Sequence, residues 1–183
     1  MPHCGPIIIE TLDQRLLLSV SVVGHNLRIT GTNNNDVIIV TQFSDHFTVR
    51  LGQQRQSIPR TGIKQIVAYG LEGDDKIDLH GCTVHVLVNG DEGDDTILGG
   101  RGNDRIFGGQ DDDLIKGGAG NDTMEGGDGE DKLYGNAGDD SFHTDDVFWE
   151  DSIDGGAGRD RAKIDIDVGV FNHDHVDNVE DVG

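Results

Sequence analysis

The chain has 183 residues, enough for one domain with small flanking pieces. It carries 35 acids against 14 bases, a formal net charge of -21. That excludes a nucleic-acid surface, which needs bases to meet phosphates, and argues against anionic membranes. Hydrophobic residues are 34% and 28 residues are glycine. A chain of this composition stays disordered unless something besides burial orders it. Cys4 and Cys82 are the two cysteines, too few and too far apart for a disulfide framework, zinc knuckle or CxxC redox pair. Cys82 sits in an apolar run and reads as a small buried hydrophobe.

Residues 1–23 admit two readings. The apolar stretch from Ile7 to Val23 is interrupted by Glu10, Asp13 and Arg15, so it is no membrane span. It lacks the basic start and clean apolar core of a standard signal peptide. "ETLDQRLLLSV" (10–20) resembles a leader found ahead of many bacterial surface proteins. A short amphipathic helix or strand capping the next segment is the other reading.

Residues 24–69 read as irregular β rungs. Phe47, Val49 and Leu51 alternate with polar residues, and Ile63, Ile66 and Val67 are apolar. Within them, "ITGTNNNDVIIV" (29–40) is a lone, degenerate copy of the pattern that follows. Asp36 stands at its acidic position, Ile38 at its apolar position, and Asn34 where glycine is wanted.

From residue 70 to 163 a nine-residue register governs the chain. Six units run without a gap from Gly90 to His143. Position 6 is aspartate in each: Asp95, Asp104, Asp113, Asp122, Asp131 and Asp140. Position 8 is apolar in each: Ile97, Ile106, Ile115, Met124, Leu133 and Phe142. Position 1 is glycine. Where positions 2 and 4 lose glycine, the replacements in this run are Asp91, Asp111 and Asn136. These types tolerate positive φ best after glycine, so positions 1–5 are predicted to form a turn of unusual dihedrals. Two further units start at Gly70 and Gly155. Leu71 is a poor choice at position 2, and the last unit has only Ala162 at position 8. Segments 79–89 and 144–154 keep an apolar position 8, Val88 and Ile153, and read as rungs without the acidic turn.

Six residues of turn and three of strand reverse the chain, and nine more bring it back. One coil therefore takes two units, and unit n stacks on unit n+2. One edge carries the turns starting at 70, 90, 108 and 126 and ends against 144–154. The other begins at 79–89 and carries 99, 117, 135 and 155. The expected fold is all-β: a parallel β-roll, a two-edged β-helix of five coils with irregular β flanks.

This stacking brings like-charged aspartates together over a thin core, so the roll is not expected to form in pure water. Calcium resolves the conflict. It takes 6 to 8 oxygens at about 2.3–2.6 Å, mixing carboxylates with backbone carbonyls in flexible geometry. Magnesium demands a tighter octahedron, and zinc and copper want His or Cys, which the turns lack. Three intervals per edge give about six calcium ions, with folding and binding one event. The candidate metal-binding residues are the turns themselves. On the first edge they are Gly70, Gly73 and Asp75; Gly90, Gly93 and Asp95; Gly108, Gly109, Asp111 and Asp113; and Gly126, Gly127, Gly129 and Asp131. On the second they are Gly99, Gly100, Gly102 and Asp104; Gly117, Gly118, Gly120 and Asp122; Gly135, Asn136, Gly138 and Asp140; and Gly155, Gly156, Gly158 and Asp160.

The unit GGxGxDxUx resembles that of the hemolysin-type, repeats-in-toxin (RTX) family, over residues 70–163. The resemblance implies a calcium-ordered β-roll in a protein secreted by a bacterium, extracellular or at the cell surface.

Residues 164–183 alternate apolar and acidic residues, which suits a C-terminal β cap. The family resemblance offers an alternative, an uncleaved export tail. His173 and His175 could share a strand face but read as solvent-facing. No HExxH or GxSxG is present, so the chain is expected not to be an enzyme. The leading expectation is a calcium-folded structural module. The alternatives are the C-terminal module of a secreted protease or lipase whose catalytic domain lies elsewhere, or a surface adhesin. No transmembrane segment is expected, and no protein partner is identified.

Overall fold

The computed structural model describes residues 19–144, 150–164 and 175–182. Strands β1 (Ser19–Val23) and β2 (Asn26–Thr30) form an antiparallel hairpin. Strands β3 (Val37–Gln42), β4 (His46–Leu51) and β5 (Gln54–Pro59) form an antiparallel meander. There follow β6 (Gln65–Glu72), β7 (Lys76–Asp78), β8 (His85–Glu92), β9 (Thr96–Leu98), β10 (Arg105–Gln110) and β11 (Leu114–Ala119). Then come β12 (Thr123–Asp128), β13 (Lys132–Ala137), β14 (Ser141–Thr144), β15 (Ser152–Asp154), β16 (Arg161–Ile164), β17 (His175–Asp177) and β18 (Asp181–Val182).

From β5 onward successive strands alternate between two sheets. One has the order β1-β2-β6-β8-β10-β12-β14-β16-β18 and the other β17-β15-β13-β11-β9-β7-β3-β4-β5. From β2 onward in the first sheet, and from β3 to β17 in the second, every pairing along the stack is parallel. Five coils are stacked here, built from β6–β7, β8–β9, β10–β11, β12–β13 and β14–β15. Arg105 pairs with Thr123 and Thr123 with Ser141, an 18-residue step, while Gln65↔His85 and Ser141↔Arg161 step by 20. The fold is a parallel β-roll, and unit n stacks on unit n+2.

Register follows from the single apolar side chain per unit. Position 8 points inward in both sheets, because its neighbours at 7 and 9 must then face out. Ile106, Met124 and Phe142 line one side of the core, and Ile97, Ile115 and Leu133 the other, all fully buried. Val88 and Ile153 fill the same columns in the two longer coils. Leu79 and Cys82 are buried where the acid-free segment 79–89 turns, and the Cys82 thiol contacts the Val40 carbonyl oxygen. Burial pushes that thiol up to about 12, so it stays protonated.

The stack continues past these five coils at both ends. β2 pairs in parallel with β6, and β3 with β7, so residues 26–39 form one more rung rather than an irregular approach. The β4–β5 hairpin extends the second sheet from there, burying Phe47, Val49, Leu51 and Ile58. β1 lies antiparallel on β2 at the margin of the first sheet. At the other end β17 and β18 stack in parallel on β15 and β16. Among the described residues no helix is long and apolar enough to cross a membrane. Residues 1–18 and His173 lie outside the described residues. His175 opens β17, is exposed, and meets Asp177 at 3.0 Å.

Candidate metal centre

Each edge of the roll is a pile of turns tied together by its aspartates. The Asp75 backbone N–H donates to Asp95 Oδ1 at 2.7 Å, Asp95 to Asp113 at 2.8 Å, and Asp113 to Asp131 at 2.8 Å. On the opposite edge Asp104 donates to Asp122, Asp122 to Asp140 and Asp140 to Asp160, each at 2.8 Å. The position-6 residues from Asp75 to Asp160 are at most 3% exposed. One carboxylate oxygen of each is thus spent on the neighbouring turn's backbone.

The other oxygen is where the structure is incomplete. Oδ2 of Asp75, Asp95, Asp113, Asp122, Asp140 and Asp160 is buried and accepts no hydrogen bond. A buried anionic oxygen without a donor is costly, so it needs a proton or a cation. Burial raises the acids accordingly: Asp75 and Asp140 to about 6, Asp95 and Asp122 to about 7, and Asp113 to about 8. Carboxylates on stacked turns add to the shift, Asp104 and Asp140 acting on Asp122 and Asp131 and Asp95 on Asp113.

Two turns escape this condition, and both stand first on an edge. Gly100 N–H donates to Asp104 Oδ2 at 2.6 Å, and Thr32 N–H donates to Asp36 Oδ2 at 2.6 Å. Asp104 is still lifted to about 6, by burial against the hydrogen bonds from Gly100 and Val86. In later turns the position-2 residue has positive φ: +89° at Leu71, +83° at Asp91, +116° at Gly118 and +72° at Asn136. Gly100 and Thr32 do not. In the turns of Asp75, Asp95, Asp122 and Asp140, stacking on a preceding acidic turn therefore goes with a reoriented position-2 residue and a bare Oδ2.

The left-handed requirement is narrower than the sequence suggests. Positive φ falls on positions 2 and 4, with Asp111 at +73°, and not on position 1. Position 1 is glycine for space: a side-chain carbon on Gly90 would strike Asp95 Oδ2 and the Gly108 carbonyl oxygen.

The predicted site residues fall on the two edges as the n/n+2 scheme requires. Gly70, Gly90, Gly108 and Gly126 open one pile, and Gly99, Gly117, Gly135 and Gly155 the other. Gly99, Gly100 and Gly102 differ in opening the second pile in the self-capped form. Segment 144–154 does not lack an acid, which corrects the sequence reading. Counting back from Gly155 puts Asp151 at position 6, where it is 1% exposed and accepts the Asp131 N–H at 2.9 Å. The longer coil hides it, because no glycine pair stands five residues earlier. Segment 79–89 does lack the acid: Val86 occupies the slot, and its N–H donates to Asp104 Oδ1. Counting Asp36 and Asp151, stacked aspartates bound five intervals on one edge and three on the other, among the described residues. The sequence reading expected three on each.

A second ladder went unread in the sequence. At position 5 the bond runs the opposite way, from the later turn's N–H to the earlier turn's side chain. Asp94 donates to Asp74 Oδ1, Asp112 to Asp94, Asn121 to Asn103 and Asp139 to Asn121, at 3.1–3.3 Å. The signal was present as Asn or Asp at 74, 94, 103, 112, 121 and 139.

The donor set decides the metal class. No three His, Cys, Asp or Glu side chains converge among the described residues, so a side-chain cage of the zinc type is not formed. The turns of Asp75, Asp95, Asp113, Asp122, Asp140 and Asp160 each offer instead one bare carboxylate oxygen, amid close-packed carbonyls. Gly109, Gly118 and Gly127 pack directly on the carbonyl oxygens of Asp91, Gly100 and Gly109. An all-oxygen set from carboxylates and main chain fits a hard cation of calcium's tolerance.

The family model for the RTX calcium-binding nonapeptide repeat matches the chain in four copies, over residues 89–124, 116–146 and 150–162. No curated protein matches the chain. The matched residues include the turns of Asp95, Asp113, Asp122, Asp140 and Asp160, whose Oδ2 atoms lack donors, so this stretch of the chain carries the RTX calcium-binding nonapeptide repeat.

Proposed function

We propose that the protein is a calcium-folded structural module of a secreted or cell-surface bacterial protein, with no catalytic role of its own. The observation that carries this is the set of buried, donorless Oδ2 atoms of Asp75, Asp95, Asp113, Asp122, Asp140 and Asp160, distributed over both edges. Calcium supplies positive charge to each, and the residues that hold it are the position-6 aspartates with the main-chain oxygens of paired turns. Until it binds, the carboxylates repel and the single buried side chain per unit cannot offset the chain entropy.

Export fits a module that folds only where calcium is plentiful. Extracellular calcium modules work at roughly 10⁻⁴–10⁻³ M, far above cytosolic calcium, so the chain would remain unfolded before export and order itself outside. A calcium titration followed by circular dichroism, with magnesium as control, tests the reading. Cooperative gain of β structure in that range with calcium, and not with magnesium, is expected. A full β spectrum in excess chelator that calcium leaves unchanged would overturn it.

A further inference from the structure

We propose that a further calcium ion binds between the turns Gly31–Asp36 and Gly70–Asp75, outside the residues that carry the repeat signature. The proposal rests on calcium binding by the repeats. The matched repeats begin at residue 89, and "GTNNND" (31–36) shares with the repeat unit only its first glycine and its aspartate. Its partner turn lies 39 residues on, because the β4–β5 hairpin intervenes.

The two turns are nonetheless stacked as the first pair of the opposite edge is stacked. Asp36 N–H donates to Asp75 Oδ1 at 2.7 Å, as Asp104 does to Asp122 at 2.8 Å. The Gly70 carbonyl oxygen packs on Gly31 as the Gly117 oxygen packs on Gly99. Gly73 abuts the backbone of Asn34 and Asn35 as Gly93 abuts Gly73 and Asp74. Thr32 N–H caps Asp36 Oδ2 as Gly100 N–H caps Asp104 Oδ2.

Asp75 then distinguishes a true opening turn from a second one. Were Gly70–Asp75 the head of its edge, Leu71 would cap Asp75 as Gly100 caps Asp104. Leu71 instead has φ +89°, and Asp75 Oδ2 is bare and buried in a residue 3% exposed. That is the condition of Asp122, one turn in from the head of the other edge. The asparagines suit an end turn: the Asn33 amide donates to Glu72 at 2.6 Å and the Asn35 amide to Asp74 at 3.1 Å. They latch onto the acidic neighbour without adding charge.

The test is a crystal structure of the full chain grown in calcium, with the ions placed by anomalous scattering. It is paired with calcium stoichiometry by titration calorimetry for wild type, Asp36→Asn and Asp122→Asn. The proposal expects an ion between Gly31–Asp36 and Gly70–Asp75 and a loss of about one ion in Asp36→Asn, as in Asp122→Asn. Ions along the repeats with none in this interval, or full stoichiometry in Asp36→Asn beside a reduced Asp122→Asn, overturns it and leaves the repeats' calcium binding standing. No ion anywhere removes both. Should Asp36→Asn fail to fold, the wild-type ion positions alone decide.

Discussion

Asp122 and Asp140 stand 18 residues apart in sequence and are directly bonded: the Asp122 backbone N–H donates to Asp140 Oδ1 at 2.8 Å. Asp113 is only nine residues from Asp122, yet it bonds to Asp95 and Asp131 on the opposite edge. The charges that raise Asp122 are those of Asp104 and Asp140. Sequence distance and energetic distance are therefore inverted in this fold.

A double-mutant cycle reads that inversion. Groups that share a hydrogen bond and a cation couple by about 0.5–3 kcal/mol, whereas distant groups add within about 0.5 kcal/mol. Asp122→Ala with Asp140→Ala should be clearly non-additive in stability at fixed, saturating calcium. Asp113→Ala with Asp122→Ala should be closer to additive. Stronger coupling in the nine-residue pair would refute the stacking by alternate units. Urea unfolding in high calcium gives the measurement, provided each variant unfolds in one step.

Without metal, stability should run opposite to that of ordinary proteins with pH. Asp75, Asp95, Asp113, Asp122 and Asp140 have folded values of about 6 to about 8, above the ordinary aspartate value of 3.8. A raised folded value means that the folded chain binds the proton more tightly. The contribution is then complete below about pH 4 and lost as pH climbs through about 6 to about 8. Exposed carboxylates remain ionised across most of that upper window, so general relief of charge repulsion does not explain a change there. In chelator, circular dichroism should show β structure growing as pH falls from about 8 to about 6. In calcium the proton competes for the same oxygens, so apparent affinity should weaken over that window. Metal-free spectra that stay constant between those limits would count against the buried row.

What the sequence made legible was whatever repeats by side-chain type. Asp at position 6 and one large apolar residue at position 8 carry register, core and edges, and the two-edge scheme needs nothing more. What it hid was carried by backbone or by broken spacing. Asp151 lacks the glycine pair that announces the other acids, and the two extra residues of its coil displace it from the count. The sequence marks 31–36 as a degenerate unit but hides its stacking partner Gly70–Asp75, because a hairpin intervenes and separation along the chain says nothing about contact. The position-5 ladder uses Asn and Asp interchangeably, because either offers an Oδ1 to the next turn's N–H.

Leu71 is the non-glycine residue least suited to its backbone, with φ +89° at a position where others have Gly, Asp or Asn. Left-handed backbone costs an L residue roughly 1–2 kcal/mol. Leu71 is half-buried at the turn and absent from the main core, so little packing offsets that strain. Leu71→Gly should stabilise the calcium-loaded protein by about 1 kcal/mol in urea titration. Asn136→Gly, starting from a residue that tolerates φ +72°, should gain less. A loss of stability in Leu71→Gly would mean that its side chain contributes more than its backbone costs.

The strongest check on the end of the first edge is Asp151. It accepts the Asp131 N–H at 2.9 Å, its own carbonyl takes the His175 N–H at 2.8 Å, and it is 1% exposed. It thus joins the last of the repeated turns to the strands that close the stack. Removing its carboxylate strips a buried N–H of its acceptor and the edge of one anionic oxygen pair. Losses of that kind run to about 2–3 kcal/mol. Asp151→Ala should therefore behave as Asp113→Ala does, lowering stability in saturating calcium by a similar amount. Asp128→Ala, an exposed acid on the same edge, should stay within about 0.5 kcal/mol of wild type. If Asp151→Ala proves as mild as Asp128→Ala, the acid at 151 is a bystander, and that edge ends at Asp131.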